Sequence, residues 1–257
     1  MAQGGDYFSA AADEYARHRP TYPDALLAFL QTLAPSPALA WDAGCGSGQL
    51  TARLAEVFEA VVGTDVSAGQ LARAAPHPRV TYRTAPAERS GLPDGRGETG
   101  VTLAVAAQAA HWFDLPAYWA EVRRVARTGC GVALVSYATA RIDPAVDAAV
   151  QGLYAGALER YWPPERRHVE AGYRSLDFPF VEVATPALEI RQWWTRGALV
   201  GYVGTWSALE VLARRRGEGA RAAALAEFGA RLARAWPDGE ERREVRWPLA
   251  VRAGRVG

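Results

Sequence analysis

The stretch Leu39-Ala40-Trp41-Asp42-Ala43-Gly44-Cys45-Gly46-Ser47-Gly48-Gln49-Leu50 limits this chain more than any other part of it. A short apolar run, a carboxylate, glycines at every second position and then a helical pattern read as a strand, a tight turn and a helix N-terminus. Glycine has no Cβ, so such a turn can take positive φ and let a ligand lie against bare peptide. The free N–H groups at the start of the following helix attract polar or negative groups. A dinucleotide fingerprint needs G-x-G-x-x-G or Ala, and the sixth position counted from Gly44 is Gln49. Asp42 stands two residues before the first glycine, where a fixed carboxylate repels a pyrophosphate and attracts an ammonium or sulfonium group. The turn therefore suits a cationic guest, or else it is a tight connection with no ligand.

A second short strand, Ala60 to Asp65, again ends in a carboxylate. In a doubly wound sheet an acid at that position, roughly 20 residues beyond the glycines, accepts the ribose hydroxyls of an adenosine-containing cofactor. Ser67 to Gln70 reads as a capping box that opens the next helix. A third strand, Val80 to Ala85, leads into Pro86-Ala87-Glu88, and a fourth, Val101 to Ala107, is apolar enough to be buried on both faces. It delivers Gln108-Ala-Ala-His111-Trp112-Phe113-Asp114 at its carboxyl end, where ligands of open α/β sheets lie. Gln108, His111 and Trp112 are thus expected to face the ligand, His111 as a base or as a structural hydrogen-bond donor. Asp114 and Pro116 open a further helix, and Val132 to Tyr137 is the fifth strand. Upstream, Thr21 is expected to cap a helix with the apolar face Leu26, Leu27, Leu30 and Leu33.

Beyond residue 140 the pattern becomes helical over roughly 144–160, 195–216 and 219–236, around two strand-like runs at 186–194 and 244–252. Tyr161, Trp162, Tyr173, Phe178, Phe180, Trp193, Trp194, Tyr202 and Trp206 make this part aromatic, which suits an acceptor pocket and an ordinary core equally. Glu165-Arg166-Arg167-His168 beside Tyr161 and Trp162 offers either a cationic fork for a carboxylate or surface arginines paired with nearby acids.

Composition narrows the chemistry. At 257 residues the chain can bury one substantial core with a small cap. Its net charge of +1 carries no basic excess for nucleic acid or an anionic membrane. It contains no lysine, which excludes Schiff-base and pyridoxal chemistry and the P-loop. Cys45 and Cys130 have no metal-ligand spacing with the four histidines and are expected as free thiols, with no metal bound. No leader pattern or membrane-length apolar run is present, so a cytoplasmic protein is expected.

The succession Phe8 to Pro23 (F-S-A-A-A-D-E-Y-A-R-H-R-P-T-Y-P), D-A-G-C-G-S-G, D-V-S, Q-A-A-H-W-F-D, Y-W-P-P-E-R-R-H and T-W-S-A resembles class I S-adenosylmethionine (SAM)-dependent methyltransferases, in the small-molecule branch that includes trans-aconitate methyltransferases. The resemblance departs at Thr99-Gly100, where relatives usually have Phe-Asp. It implies an α/β, Rossmann-like seven-stranded sheet, six strands parallel and one antiparallel, with helices on both faces and a helical cap. It implies one domain over 1–257, made of an N-terminal lid at 1–35, a cofactor half at 36–140, and an acceptor cap with the closing strand pair at 141–257. The implied cofactor is S-adenosyl-L-methionine, held by Tyr15, Arg19, Asp42, Gly44, Cys45, Gly46, Asp65, Val66, Ala87, Glu88 and Gln108. The implied acceptor is a small organic molecule methylated on oxygen, either carboxylate or hydroxyl, with His111 as the catalytic residue and Trp112, Tyr161, Arg166 and Arg167 binding the substrate. Neither nucleic acid nor membrane is an expected partner, and the chain is expected to act as a monomer or homodimer. A nicotinamide-dependent oxidoreductase and a non-catalytic SAM-binding protein are the competing readings.

Overall fold

The computed structural model of the protein describes residues 20–257. Tyr15 and Arg19, and with them most of the expected lid, lie outside the described residues. The cofactor half alternates strand and helix: α1 (Asp24–Leu33), β1 (Leu39–Ala43), α2 (Gln49–Leu54), β2 (Ala60–Asp65), α3 (Ala68–Leu71), β3 (Val80–Thr84), β4 (Val101–Ala107), α4 (Leu115–Val125) and β5 (Ala126–Tyr137). Then follow α5 (Pro144–Gln151), α6 (Arg166–Glu170), β6 (Val181–Glu182), β7 (Leu188–Trp194), α7 (Arg196–Gly204), α8 (Ser207–Arg216), α9 (Glu218–Ala235) and β8 (Arg243–Arg255).

The strand order is β3-β2-β1-β4-β5-β8-β6, with β7 also paired to β8. The first five strands are mutually parallel. β8 runs antiparallel to β5 and to both β6 and β7. β6 faces Gly254 and Arg255 while β7 faces residues 243–249, so the two share one edge of β8. The sheet therefore has seven positions, one of them antiparallel, as the resemblance implied. The order reverses between β1 and β4, which opens a crevice at their carboxyl ends.

Apolar residues alternate between the two faces of the central strands. Ala40, Leu103, Val105, Ala133 and Val135 join the core beneath α1 and α2, whose Leu26, Leu30, Leu50 and Leu54 are wholly buried. Trp41, Ala104, Ala106, Val132 and Leu134 join the opposite core with Trp119, Val122 and Val125 of α4. Strands buried on both faces read as continuous apolar runs, and for that reason β4 was visible in the sequence. Among the described residues no helix is long and apolar enough to cross a membrane.

Several local expectations change. α1 begins at Asp24 with Pro23 as its cap, because proline already holds the extended φ and has no N–H to satisfy. Thr21, expected as the cap, accepts a hydrogen bond from Gln192 Nε2 at 2.9 Å instead. The helix expected over 195–216 breaks between α7 and α8, where the Thr205 hydroxyl turns back onto the Tyr202 carbonyl and Trp206 extends into the core. The helix expected over 144–160 relaxes into a π turn at Gly152–Ala157. The glycine that replaces the usual acid at position 100 has φ +112°, and a Cβ there would come within 2.6 Å of the Val125 carbonyl oxygen. Close packing of the β4 entry on the end of α4 requires it. The capping bond from Ser67 to the Gln70 N–H forms, as does that from Asp114 to Ala117.

Candidate active site

The carboxyl ends of β1 and β2 build one end of a cavity of about 770 Å³. Gly44 and Cys45 donate their N–H groups to the Thr64 carbonyl at 2.7 and 3.0 Å, folding the turn over β2. Gly44 has φ +69°, and a Cβ on it would lie 2.5 Å from the Ala109 Cβ, so both conformation and contact demand glycine. Gly46 has φ +57° and nothing within 4 Å of where a Cβ would sit. Its bare face opens on the cavity. Asp65 accepts from the Gly46 N–H at 2.9 Å and from the Ser67 N–H at 2.8 Å, so this carboxylate fastens the glycine turn as well as facing the cavity.

Asp42 is 1% exposed, and its Oδ2 accepts from Thr51 Oγ1 at 2.7 Å. Its Oδ1 has no hydrogen-bond partner among the described residues. Burial, opposed by the Thr51 bond and reinforced by the nearby Asp65, pushes its carboxyl up to about 7. Burial likewise raises Asp65, against the N–H groups that stabilise its charge, and holds the Cys45 thiol well above its ordinary range. Cys45 and Cys130 are both buried free thiols.

The wall continues through Val66, which is 56% exposed at the rim, to Ala87 and Glu88. Glu88 Oε1 accepts from the Asp114 N–H at 2.8 Å and thereby ties the loop after β3 to the start of α4. At the end of β4, Gln108 takes φ +56°, an uncommon conformation for a residue with a side chain. Its Nε2 donates to the Tyr137 carbonyl at 2.9 Å, and its buried Oε1 has no partner among the described residues. A ligand with a cationic, hydrogen-donating group would satisfy both Asp42 Oδ1 and Gln108 Oε1 and would have room against Gly46. The ammonium of the expected cofactor meets those requirements, while its sulfonium carries charge but no hydrogen to donate.

The cavity wall also includes Tyr22, Tyr137, His111, Trp112 and Glu165. His111 Nδ1 lies 2.8 Å from the Tyr173 hydroxyl, and its ring is 4.8 Å from that of Trp112. Burial first, then the charges of Arg166 and His168, lower His111 to about 3, so the imidazole is neutral at any physiological pH.

The acceptor residues expected in the cap are only partly brought together. Trp112 is in the wall, whereas Tyr161, Arg166 and Arg167 are not. Arg166 turns away to stack at 5.1 Å on Trp162 and 5.5 Å on Tyr154, and its Nε donates to the Tyr154 hydroxyl at 2.9 Å. Arg167 points to solvent on α6, and Tyr161 packs on the edge of the core. An aromatic face and a hydroxyl hold the guanidinium better than an open pocket would. The cationic fork does not form; from this segment only Glu165 reaches the cavity. Most aromatic residues of the C-terminal part form core, with Trp193 exposed: Tyr202 and Trp206 are buried with Trp194, Trp247 and Tyr154 around them, and none of these lines the cavity. Tyr137 was missed although it ends the fifth strand, where the rule about strand ends would have found it. Glu165 carried no signal, since its role depends on how the cap folds back.

Comparison with known proteins agrees with this architecture. A family model described as a methyltransferase domain matches residues 41–134. A Dictyostelium discoideum protein named as a methyltransferase is 33% identical over 206 residues, covering 79% of this chain and 77% of that one. The solved structure of an Anaeromyxobacter dehalogenans protein, titled a type II methyltransferase, is 51% identical with a TM-score of 0.83, covering 92% of this chain and 97% of that one. A [4+2]-cyclase has the same fold at 16% identity and a TM-score of 0.50, covering 99% of this chain and 97% of the other.

Proposed function

This chain belongs to the class I SAM-dependent methyltransferases, and from that premise we propose that it methylates an oxygen of a small organic acceptor held at the His111 end of its cavity. The carrying observation is that one continuous cavity joins the glycine turn and Asp65 to Tyr22, His111, Trp112, Tyr137 and Glu165. Its volume lies within the range of roughly 300–1,000 Å³ usual for small-molecule sites.

SAM supplies an already activated methyl group. The residues are left with binding, alignment and exclusion of water. In this reading Gly44, Cys45 and Gly46 receive the amino-acid part of the donor, Asp42 and Gln108 face its cationic groups, and Asp65 faces its ribose, with Val66, Ala87 and Glu88 bounding the adenine. Asp42 is central, because a carboxyl raised to about 7 is held ionised by a cation brought beside it. The aromatic surfaces of Trp112, Tyr22 and Tyr137 then shield the reacting end from water. The Arg166 and Arg167 contribution is not retained.

The test is a screen of organic acids, phenols and alcohols with SAM, read by the mass gain of one methyl group. Methylation of at least one acid or hydroxyl compound, lost in the Gly46→Ala variant, is the expected result. Tight SAM binding with no product across the panel would replace this reading by that of a SAM-binding protein, and methylation of amines alone would overturn the oxygen assignment.

A further inference from the structure

Glu165 stands at the cap position before α6, yet its side chain makes no capping hydrogen bond. A carboxylate there could accept from the free N–H groups of the turn behind it or pair with a nearby guanidinium. Neither happens. The turn is closed by backbone bonds instead, from the Arg166 N–H to the Pro163 carbonyl at 2.9 Å and from the His168 N–H to the Glu165 carbonyl at 3.0 Å. Arg166, the adjacent cation, is taken up by Tyr154 and Trp162, and the Tyr154 hydroxyl in turn donates to Glu170. Arg167 is exposed. Pro163 and Pro164 restrict the backbone that leads in. Glu165 is thus held half-buried in the cavity wall, and its carboxylate has neither a hydrogen bond nor an ion pair among the described residues.

The rest of the wall does not supply the missing partner. Asp42, Asp65, Glu88 and Asp114 also line the cavity, whereas among the described residues no arginine does, and the chain contains no lysine. His111 is neutral there, because burial and the charges of Arg166 and His168 lower it to about 3. Each of the other acids is already engaged: Asp42 by Thr51, Asp65 by the Gly46 and Ser67 N–H groups, Glu88 by the Asp114 N–H and Asp114 by the Ala117 N–H. Asp42 Oδ1 and Gln108 Oε1, buried without partners among the described residues, are acceptors as well. The donor brings an ammonium, a sulfonium and a carboxylate, a net charge that offsets one acid and leaves the rest. Helix α6 packs against the 3₁₀ turn Ala110–Trp112, which places Glu165 beside the segment that carries His111 and Trp112. Trp112, Tyr22 and Tyr137 add aromatic rings to the same wall, and aromatic faces attract cations.

Resting on the reading of the chain as a methyltransferase for an oxygen acceptor, we propose that Glu165 determines acceptor specificity, and that the acceptor is a hydroxyl compound carrying a protonated amine that pairs with the Glu165 carboxylate. An anionic acceptor would meet an unpaired carboxylate with no guanidinium to answer it, and like charges repel. A neutral acceptor would strip water from Glu165 without replacing it. An ammonium group removes both costs. It is recognised and not methylated, since a protonated amine has no lone pair to attack the sulfonium carbon. The hydroxyl oxygen forms the new O–C bond, the C–S electron pair stays on sulfur, which becomes a neutral thioether, and the hydroxyl proton is released to solvent.

The test is calorimetric binding to the full-length protein saturated with S-adenosylhomocysteine, which needs no turnover. The probes are matched sets built on a phenol, a cyclohexanol and a linear alcohol, each carrying a terminal ammonium, methyl or carboxylate group. The expected order of affinity is ammonium, methyl, carboxylate, with the ammonium member about tenfold or more tighter than the methyl one and Glu165→Gln bringing the two within about threefold. Glu165→Asp should keep the order. Glu165→Arg should turn the preference toward the carboxylate, which replacing a merely structural glutamate would not do. All three variants should retain affinity for S-adenosylhomocysteine, and should one fail to fold, the wild-type order still decides. Carboxylate members that bind the wild type as tightly as ammonium ones, an ammonium preference that survives in Glu165→Gln, or no binding by any ammonium member overturns the proposal. Methyl transfer from SAM to the ammonium-bearing probes is read separately by mass. Its absence with the binding order intact counts against the oxygen reading alone, and the role of Glu165 stands on the binding order.

Discussion

Asp42 shows most directly how a residue's surroundings turn its type into a property. A carboxylate before a glycine turn was legible as a cation seat, but its protonation was not, because that depends on complete burial and on Thr51, nine residues away. Its folded value of about 7 lies above the ordinary 3.8, so the native state holds this proton more tightly than the unfolded chain does. The stability it contributes is fully present below about pH 4 and is lost as pH rises through about 7. Thermal melts of the protein without cofactor should therefore lose stability between about pH 4 and pH 7, and Asp42→Asn should flatten that part of the profile; an unchanged profile in the variant contradicts the assignment. A cation bound at Oδ1 lowers the same group, so SAM binding near pH 6 should release close to one proton. Titration calorimetry in buffers of different ionisation enthalpy would show it as a buffer-dependent heat. Asp65 has a double role for a similar reason. Asp65→Ala should weaken SAM binding by about 1.5–3 kcal/mol, the range for hydrogen bonds to a charged group. It should also lower the melting temperature, because the variant releases the Gly46 and Ser67 N–H groups.

At the scale of elements, the glycine turn separates two requirements that look alike in the sequence. Gly44→Ala forces a Cβ to 2.5 Å from Ala109 in addition to its φ of +69°, so it should destabilise the fold by several kcal/mol and lose SAM binding with it. Gly46→Ala meets no atom within 4 Å and carries only the backbone cost, about 1–2 kcal/mol. It should stay folded and still bind SAM poorly, since its methyl group enters the cavity. Denaturant unfolding beside calorimetry distinguishes the two, and equal destabilisation would contradict the geometry. The strands and the turn were readable because period and glycine placement act locally. The cap was not. Arg166 could be drawn to a carboxylate ligand or to Tyr154 and Trp162, and only the folding of the π turn and α6 decides between them. Arg166→Ala should accordingly cost about 1 kcal/mol of stability through the lost stacking. Its effect on SAM affinity should be nil.

For the whole molecule, the order reversal between β1 and β4 explains why a local sequence signal predicted a global site. The rule that ligands lie beyond the carboxyl ends of strands placed Asp42, Asp65, Gln108 and His111 together although up to 69 positions separate them. What the rule could not supply came from chain folded back over the sheet: Tyr22 before α1, Glu165 before α6, and Tyr173 beneath His111. The cavity is lined from the ends of β1, β2 and β4 alike, so filling it should stabilise the whole domain and not a single loop. A ligand that binds only the native state adds RT ln(1 + [L]/Kd), about 2.7 kcal/mol at a hundredfold excess over Kd. For a domain of this size, 1 kcal/mol moves the midpoint by roughly 2–4 °C. Saturating SAM or its demethylated product should thus raise the melting temperature by about 5–10 °C. NADH at the same excess should leave it unchanged, because Gln49 stands where the third glycine of a dinucleotide turn belongs and the buried Asp42 opposes a pyrophosphate. A shift with NADH and none with SAM would overturn the reading of the turn on which the proposed roles of Asp42 and Gly46 depend.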